Sequence, residues 1–236
     1  MRCKLLHSGA SSAQQNMALD VRLLDTLHYF ENPIIHFYDW LQPSITYGYF
    51  TKPGPYLNLK NIQFHGIDMA RRPTGGGITL HLSDMAFSIL VPATHEGFSE
   101  NVMENYAFVN TRVLEAITQF VGYQEQPILL TAQPSASDEH CEHFCMAHPT
   151  KYDVMLGGRK VGGGAQRRTK AGFLHQGTIS LGLPDEKVLK ELLLPGTCVS
   201  EAMKVNSCVL LEGACSENDV HAVKQELQRL IVAAFQ

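Results

Sequence analysis

The chain has 236 residues, enough to bury a large core without metal or disulfide staples, and its 44% hydrophobic and 18% charged residues exclude a disordered polymer. With 19 basic against 23 acidic side chains, a net charge of −4, it lacks the cationic excess that extended nucleic-acid binding requires. No apolar run reaches membrane-spanning length, and the basic start leads into no apolar signal region, so a cytoplasmic protein is expected. Its six cysteines have no secretory setting and are expected as reduced thiols.

Residues 12–27 place Met17, Val21, Leu24 and Leu27 at helical spacing behind a serine cap, which predicts a first helix. Two aromatic and β-branched runs, 34–38 and 45–49, read as strands, broken by Pro43 and by Pro53-Gly54-Pro55. After three glycines come two more extended runs, 78–82 and 85–91, joined by Ser83-Asp84; this predicts a β-meander with the glycines at one corner. A long helix is predicted over 99–121, burying Met103, Tyr106, Val113, Leu114, Ile117 and Phe120. Residues 131–150 are polar and aperiodic, a long loop of the kind that often carries function. Hairpin-linked strands at 152–161 and 173–181 form a second meander, with Gly157-Gly158 as a turn. Helices near 185–194 and from Ser216 onward close the chain. The expected class is α+β, with mixed, mainly antiparallel sheets, in one domain spanning 1–236.

Two glycine runs carry the first chemical signal. Gly75, Gly76 and Gly77 follow Arg71 and Arg72, a pairing of fixed cations with bare backbone that suits a carboxylate, a phosphate or an acyl phosphate. Taken alone, such a run is more often merely a tight turn than a site. The second, Gly162-Gly163-Gly164, follows Arg159 and Lys160, again between predicted strands. Neither ends in Gly-Lys-Ser or Gly-Lys-Thr, and neither leads into an obvious helix, which argues against a phosphate P-loop and a dinucleotide fold.

Together these segments resemble the lipoate-protein ligase and octanoyltransferase family. Asn16-Met17-Ala18-Leu19-Asp20 is similar to its early helix motif, and Arg71-Arg72-Pro73-Thr74-Gly75-Gly76-Gly77 with His81 to its Arg-Arg-x-Ser-Gly-Gly-Gly loop. Lys160 to Gln166 resembles its Lys-Val-x-Gly-Ser-Ala-Gln segment, and His175, Gly177 and Thr178 lie in what resembles its pocket-closing strand. The resemblance implies a fold shared with biotin ligases and an acyl chain in an apolar tunnel. It implies that Arg71, Arg72, Thr74, Gly75, Gly76, Gly77, His81, Gly163, Gly164, Ala165, His175 and Gly177 bind substrate, and that Lys160 contacts the reacting carbonyl or phosphate.

Members of the family differ in how the acyl group is activated. The segment Cys145-Met146-Ala147-His148-Pro149-Thr150-Lys151-Tyr152-Asp153 resembles the cysteine octanoyltransferases, whereas ATP-dependent ligases usually end it in Asn-Asp. The implied mechanism is a thioester on Cys145, with Lys160 or nearby histidines lowering its pKa and no cofactor required. The rival is a ligase using ATP and Mg through an acyl adenylate. Either route implies lipoyl domains of 2-oxoacid dehydrogenase or glycine cleavage proteins as acceptors, and octanoyl-acyl carrier protein or free lipoate as donor. A chain of this length is also expected to lack the C-terminal accessory domain of many ligases. Met146 stands where the transferases have Phe, the second glycine run replaces a Ser, and Val21 replaces a Glu after Asp20. Those departures leave open a weakened enzyme that binds lipoyl domains or acyl chains. Zinc is disfavoured, because His140, Cys141, His143, Cys145 and His148 lack paired ligand spacing; a packed, unused Cys145 is the remaining reading. Biotin attachment is disfavoured by the absence of a Gly-Arg-Gly-Arg-x-Gly loop.

Overall fold

The computed structural model describes residues 3–132, 134, 140–211, 213 and 215–236. The chain opens with strand β1 (Lys4–Ser11), absent from the sequence-based expectation because its outward residues interrupt any apolar pattern. Ser12 caps helix α1 (Ala13–Asp25) through a capping box with Gln15, and the buried set Ala13, Asn16, Met17, Asp20 and Leu24 follows helical spacing. Strands β2 (Ile34–Trp40) and β3 (Ser44–Tyr47) fall where expected. Helix α2 (Leu59–Phe64) and strand β4 (Asp68–Arg71) follow, neither of them predicted.

Strands β5 (Ile78–His81) and β6 (Asp84–Pro92) do not form the predicted meander. They enter different sheets: β5 pairs with β3, while β6 lies between β2 and strand β10 (Gly172–Ser180). Helix α3 (Val102–Val121) buries Val109, Val113, Ala116 and Ile117 together with Asn105 and Asn110, while Met103 is exposed. The loop expectation at 131–150 falls partly outside the described residues, at 133 and 135–139; the described part contains a short 3-10 turn, Cys141–His143. Strands β7 (Ile128–Leu129), β8 (Val154–Leu156) and β9 (Arg159–Thr169) follow, then β10. Helices α4 (Glu186–Leu192), α5 (Val199–Asn206) and α6 (Glu217–Ala234) complete the described fold, α6 with its own capping box at Ser216 and Asp219.

The described residues form a seven-stranded sheet ordered β1-β2-β6-β10-β9-β8-β7 and a three-stranded sheet ordered β4-β3-β5. Within them β1–β2 and β3–β4 pair in parallel and the other pairs run antiparallel, so the class is α+β with mixed, mainly antiparallel sheets. The large sheet buries Phe87, Phe173 and Ile179 against Val113 and Ile117 of α3 and Leu227 and Ile231 of α6. Each fully buried side chain of this size is worth about 1.5–3 kcal/mol before conformational entropy is charged against it. The small sheet has a second core, in which Ile45, Ile78 and Leu80 meet Leu192, Met203 and Phe144. Phe144 therefore anchors the segment before Cys145 on the small sheet, where Cys145 N donates to the Ile78 carbonyl at 3.0 Å. No helix among the described residues is long and apolar enough to cross a membrane.

Candidate active site

The two sheets leave a cavity of about 710 Å³ between them. Thr46, Thr79 and His81 wall it from the small sheet, and Gly163, Gln176 and Thr178 from the large one. Met17, Tyr38, Trp40, Met103 and Ala165 give it apolar surface, while Arg72, Cys145 and Lys160 bring the chemistry.

Arg72 is buried, which its charge tolerates because both terminal nitrogens of its guanidinium are hydrogen-bonded. Nη1 donates to Thr46 Oγ1 at 2.8 Å and Thr79 Oγ1 at 3.1 Å, and Nη2 to the carbonyls of Gly75 at 3.1 Å and Gly77 at 2.8 Å. The glycine loop thus wraps its carbonyls around the guanidinium. Gly76, at φ 83°, makes the turn that this needs. Two neighbours depend on missing side chains: a Cβ on Gly48 would lie 1.9 Å from the Gly76 carbonyl oxygen, and one on Gly77 would lie 2.4 Å from that of His143.

Hydrogen-bond direction then passes along the small sheet. Thr46 accepts from Arg72 and shares a hydrogen bond with His81 Nε2 at 2.8 Å, while His81 Nδ1 lies 2.7 Å from Asp84 Oδ2, whose carboxylate accepts its N–H. Asp84 also accepts from Thr178. Thr79, accepting from Arg72, keeps its own hydroxyl proton free for Cys145. Burial pushes the Cys145 thiol up. Arg72, Lys160, the Thr79 hydroxyl and the Gly77 N–H together outweigh burial and hold it below the ordinary thiol range.

Lys160 is buried beside it. Its Nζ donates to the Cys145 carbonyl at 2.8 Å and pairs with Asp153 Oδ2 at 2.7 Å, using two of three N–H donors and leaving one for an oxygen in the cavity. Asp153 is itself fixed by Thr150, whose N–H donates at 2.6 Å and whose hydroxyl donates at 3.1 Å. Tyr152, just before it, is held at φ 71°, an unusual conformation for a non-glycine residue, with its carbonyl tied to Asn110 Nδ2 at 2.9 Å.

Of the residues anticipated from sequence, Arg72, Gly76, Gly77, His81, Cys145, Lys160, Gly163, Gly164, Ala165 and Gly177 line the cavity. Arg71 does not: alternation along β4 turns it outward, its guanidinium over the Tyr49 ring at 4.6 Å. Thr74 and Gly75 lie behind the wall, Thr74 donating to Gln176 Oε1 at 2.7 Å and Gly75 giving its carbonyl to Arg72. His175 is also absent from the cavity, since alternation along β10 presents Gln176 and Thr178 there instead. His175 packs against Phe87 and Tyr106, and burial lowers its pKa to about 3.

Glycines 162–164 lie inside β9 rather than at a corner between strands, opposite Ile179, Thr178 and Gly177 in the register. A Cβ on Gly163 would lie 2.1 Å from Asp153 Oδ1, and one on Gly164 would lie 2.2 Å from His175 Nε2. The unanticipated participants are Thr46, Thr79, Asp84 and Gln176, whose threonine, aspartate and glutamine types gave no spacing signal. Gln176 links the glycine loop to α1 by donating to Asp20 Oδ2 at 2.7 Å, and Asp20 in turn holds His36 Nδ1 at 2.8 Å. Among the described residues no three His, Cys, Asp or Glu side chains gather as a metal site.

The sequence matches the family described as lipoyl protein ligase A/B catalytic domain over residues 12–207. It is 30% identical over 206 residues to octanoyltransferase LipM of Geobacillus kaustophilus (strain HTA426), covering 85% of this chain and 73% of that protein. It is also 30% identical over 210 residues to octanoyltransferase LipM of Bacillus subtilis (strain 168), covering 86% of this chain and 74% of that one. The fold is similar to that of lipoate-protein ligase A bound with ATP, with a TM-score of 0.74 at 20% identity over 99% of this chain and 85% of that one. It is similar as well to Ta0514, a putative lipoate protein ligase from T. acidophilum, with a TM-score of 0.72 at 20% identity over 100% and 84% of the two chains.

Proposed function

This chain belongs to the lipoyl protein ligase A/B catalytic domain family, whose members include acyltransferases and ligases, and from that premise we propose that it transfers an octanoyl group to a lysine of a lipoyl domain through a thioester on Cys145. The observation that carries this reading is the setting of Cys145: a lowered-pKa thiol between Arg72, Lys160 and Thr79 on a cavity with apolar walls.

The thiolate sulfur attacks the carbonyl carbon of an octanoyl thioester, the donor carbon–sulfur bond breaks, and the carrier leaves as a thiol after taking a proton. Negative charge on the carbonyl oxygen is met by the third N–H of Lys160. The lysine amine of the acceptor then attacks the Cys145 thioester, an amide forms, the amine gives up its proton and the Cys145 thiolate is restored. Arg72 and Thr79 stabilise that thiolate both as nucleophile and as leaving group. The octanoyl chain lies along Met17, Tyr38 and Trp40, in a cavity within the size range of small-molecule sites.

This reading takes residues 1–236 as one catalytic unit, supported by a cavity to which both sheets contribute. It requires no cofactor, an acyl-carrier donor, a lipoyl-domain acceptor and a cytoplasmic setting. The test supplies a lipoyl domain with octanoyl-carrier protein and no nucleotide, or with octanoate, ATP and Mg. Acceptor mass gain only in the first mixture is the expected result. Gain only in the second would replace transfer by ligation, and stable acceptor binding without gain in either would make the chain a binder.

A further inference from the structure

Arg71 of β4 and Arg167 of β9 are far apart in the chain, yet both wall one surface groove of about 490 Å³. Its floor is apolar, formed by Met17, Ala18 and Val21 of α1 with Met69 of β4, and no acidic side chain lines it. Among the described residues neither arginine enters an ion pair, whereas Arg168 and Arg229 hold Glu100 and Glu226. Arg71 is exposed but oriented, because its guanidinium rests on the Tyr49 ring. In a chain of net charge −4, two guanidiniums without acidic partners over an apolar floor suit a ligand that carries an anion on an otherwise apolar body. Phosphate fits the planar fork of arginine particularly well. Met17 and Arg72 wall both the groove and the acyl cavity, so such a ligand would lie directly beside the reacting end.

We infer that the groove holds the pantetheine arm of the acyl donor, with Arg71 and Arg167 on its phosphodiester and the dimethyl and amide segments along the floor. The inference rests on the octanoyl-transfer reading. It gives the two arginines a role in donor selection that leaves the chemistry at Cys145 untouched.

Three donors test it with the full chain: octanoyl-carrier protein, octanoyl-4′-phosphopantetheine without the protein, and octanoyl-pantetheine without the phosphate. In the doubly substituted Arg71→Ala, Arg167→Ala protein, KM for the first two rises by about tenfold or more, as loss of charge-assisted contacts implies, with kcat unchanged. KM for octanoyl-pantetheine stays where the unsubstituted protein has it. Calorimetry gives the matching result, a preference for 4′-phosphopantetheine over pantetheine that disappears in the variant. Equal loss on all three donors, or no loss on any, overturns the inference. Loss confined to the carrier-protein donor also overturns it, and assigns the arginines to contact with the carrier protein itself. An unsubstituted protein that transfers from none of the donors overturns the function reading and the inference together, which separates that failure from a failure of the groove alone.

Discussion

Glycines 75–77 approach the residue that follows the second run, 162–164, for a Cβ on Gly76 would lie 3.4 Å from that of Ala165. The two runs differ in what the missing side chains make room for. In the first run the backbone itself is the tool, its carbonyls closing around Arg72 and one glycine N–H reaching Cys145. In the second the backbone is ordinary strand, paired with β10 throughout, and the missing side chains admit other residues: the Lys160–Asp153 pair at Gly163 and the His175 ring at Gly164. A glycine run is therefore ambiguous until its neighbours are known, because one composition serves a loop that binds and a strand that yields space.

The largest test of this difference is Gly163→Ala. The new methyl would displace Asp153 from Lys160, and disturbing a buried ion pair in a full site is expected to cost about 3 kcal/mol. Thermal melting should show that loss. Transfer should fall by about a hundredfold in whatever fraction stays folded, since Lys160 loses its aim.

His175 extends the comparison into acid. Its folded pKa of about 3 lies below the ordinary 6.5, so between these values the unfolded chain binds a proton that the folded chain does not. Stability is complete above 6.5 and falls as pH drops through that window, at up to about 1.4 kcal/mol per pH unit from this group. Denaturant titrations at a series of pH values should show a shallower acid loss for His175→Gln. An unchanged slope would mean that the ring is not held neutral against Gly164.

The sequence made some of this legible and hid the rest for physical reasons. Helices α1, α3 and α6 announced themselves through apolar spacing, α1 also through its serine cap, since local hydrogen bonds and one buried face determine them. The pairing of β5 with β3, and of β6 with β2 and β10, was hidden because the turn at Ser83-Asp84 carries no mark of a change of sheet. Three glycines inside β9 contradict strand propensity, and only the side chains that crowd them explain why they are there. Motif order anticipated that Cys145, Arg72 and Lys160 would lie at one cavity. Thr79 was not anticipated, because its role comes from a proton left free by an acceptor bond to Arg72.

Thr79→Val tests that role, while also removing one acceptor of Arg72. It removes the hydroxyl while keeping the shape, so the Cys145 thiol should titrate higher. Iodoacetamide labelling near pH 6 should then slow by severalfold, with less change in alkaline solution where the thiolate is already formed. An unaltered labelling profile would assign the lowered pKa to Arg72, Lys160 and the Gly77 N–H without Thr79.

The smallest effect belongs to Gly75→Ala. Gly75 has no left-handed backbone conformation, and nothing lies within 4 Å of where its Cβ would be. Stability should change by no more than about 0.5 kcal/mol, with transfer preserved. A large loss there would mean that the whole first run needs glycine, erasing the distinction between a carbonyl that matters and a side chain that does not.

The most direct measurement is intact mass of the protein after brief exposure to an octanoyl thioester donor without acceptor, followed by peptide mapping and addition of a lipoyl domain. The account predicts one octanoyl group on Cys145, none on the Cys145→Ala protein, and transfer of that group to the acceptor lysine without nucleotide. An adduct that persists in Cys145→Ala, or one that never passes to the acceptor, would contradict it.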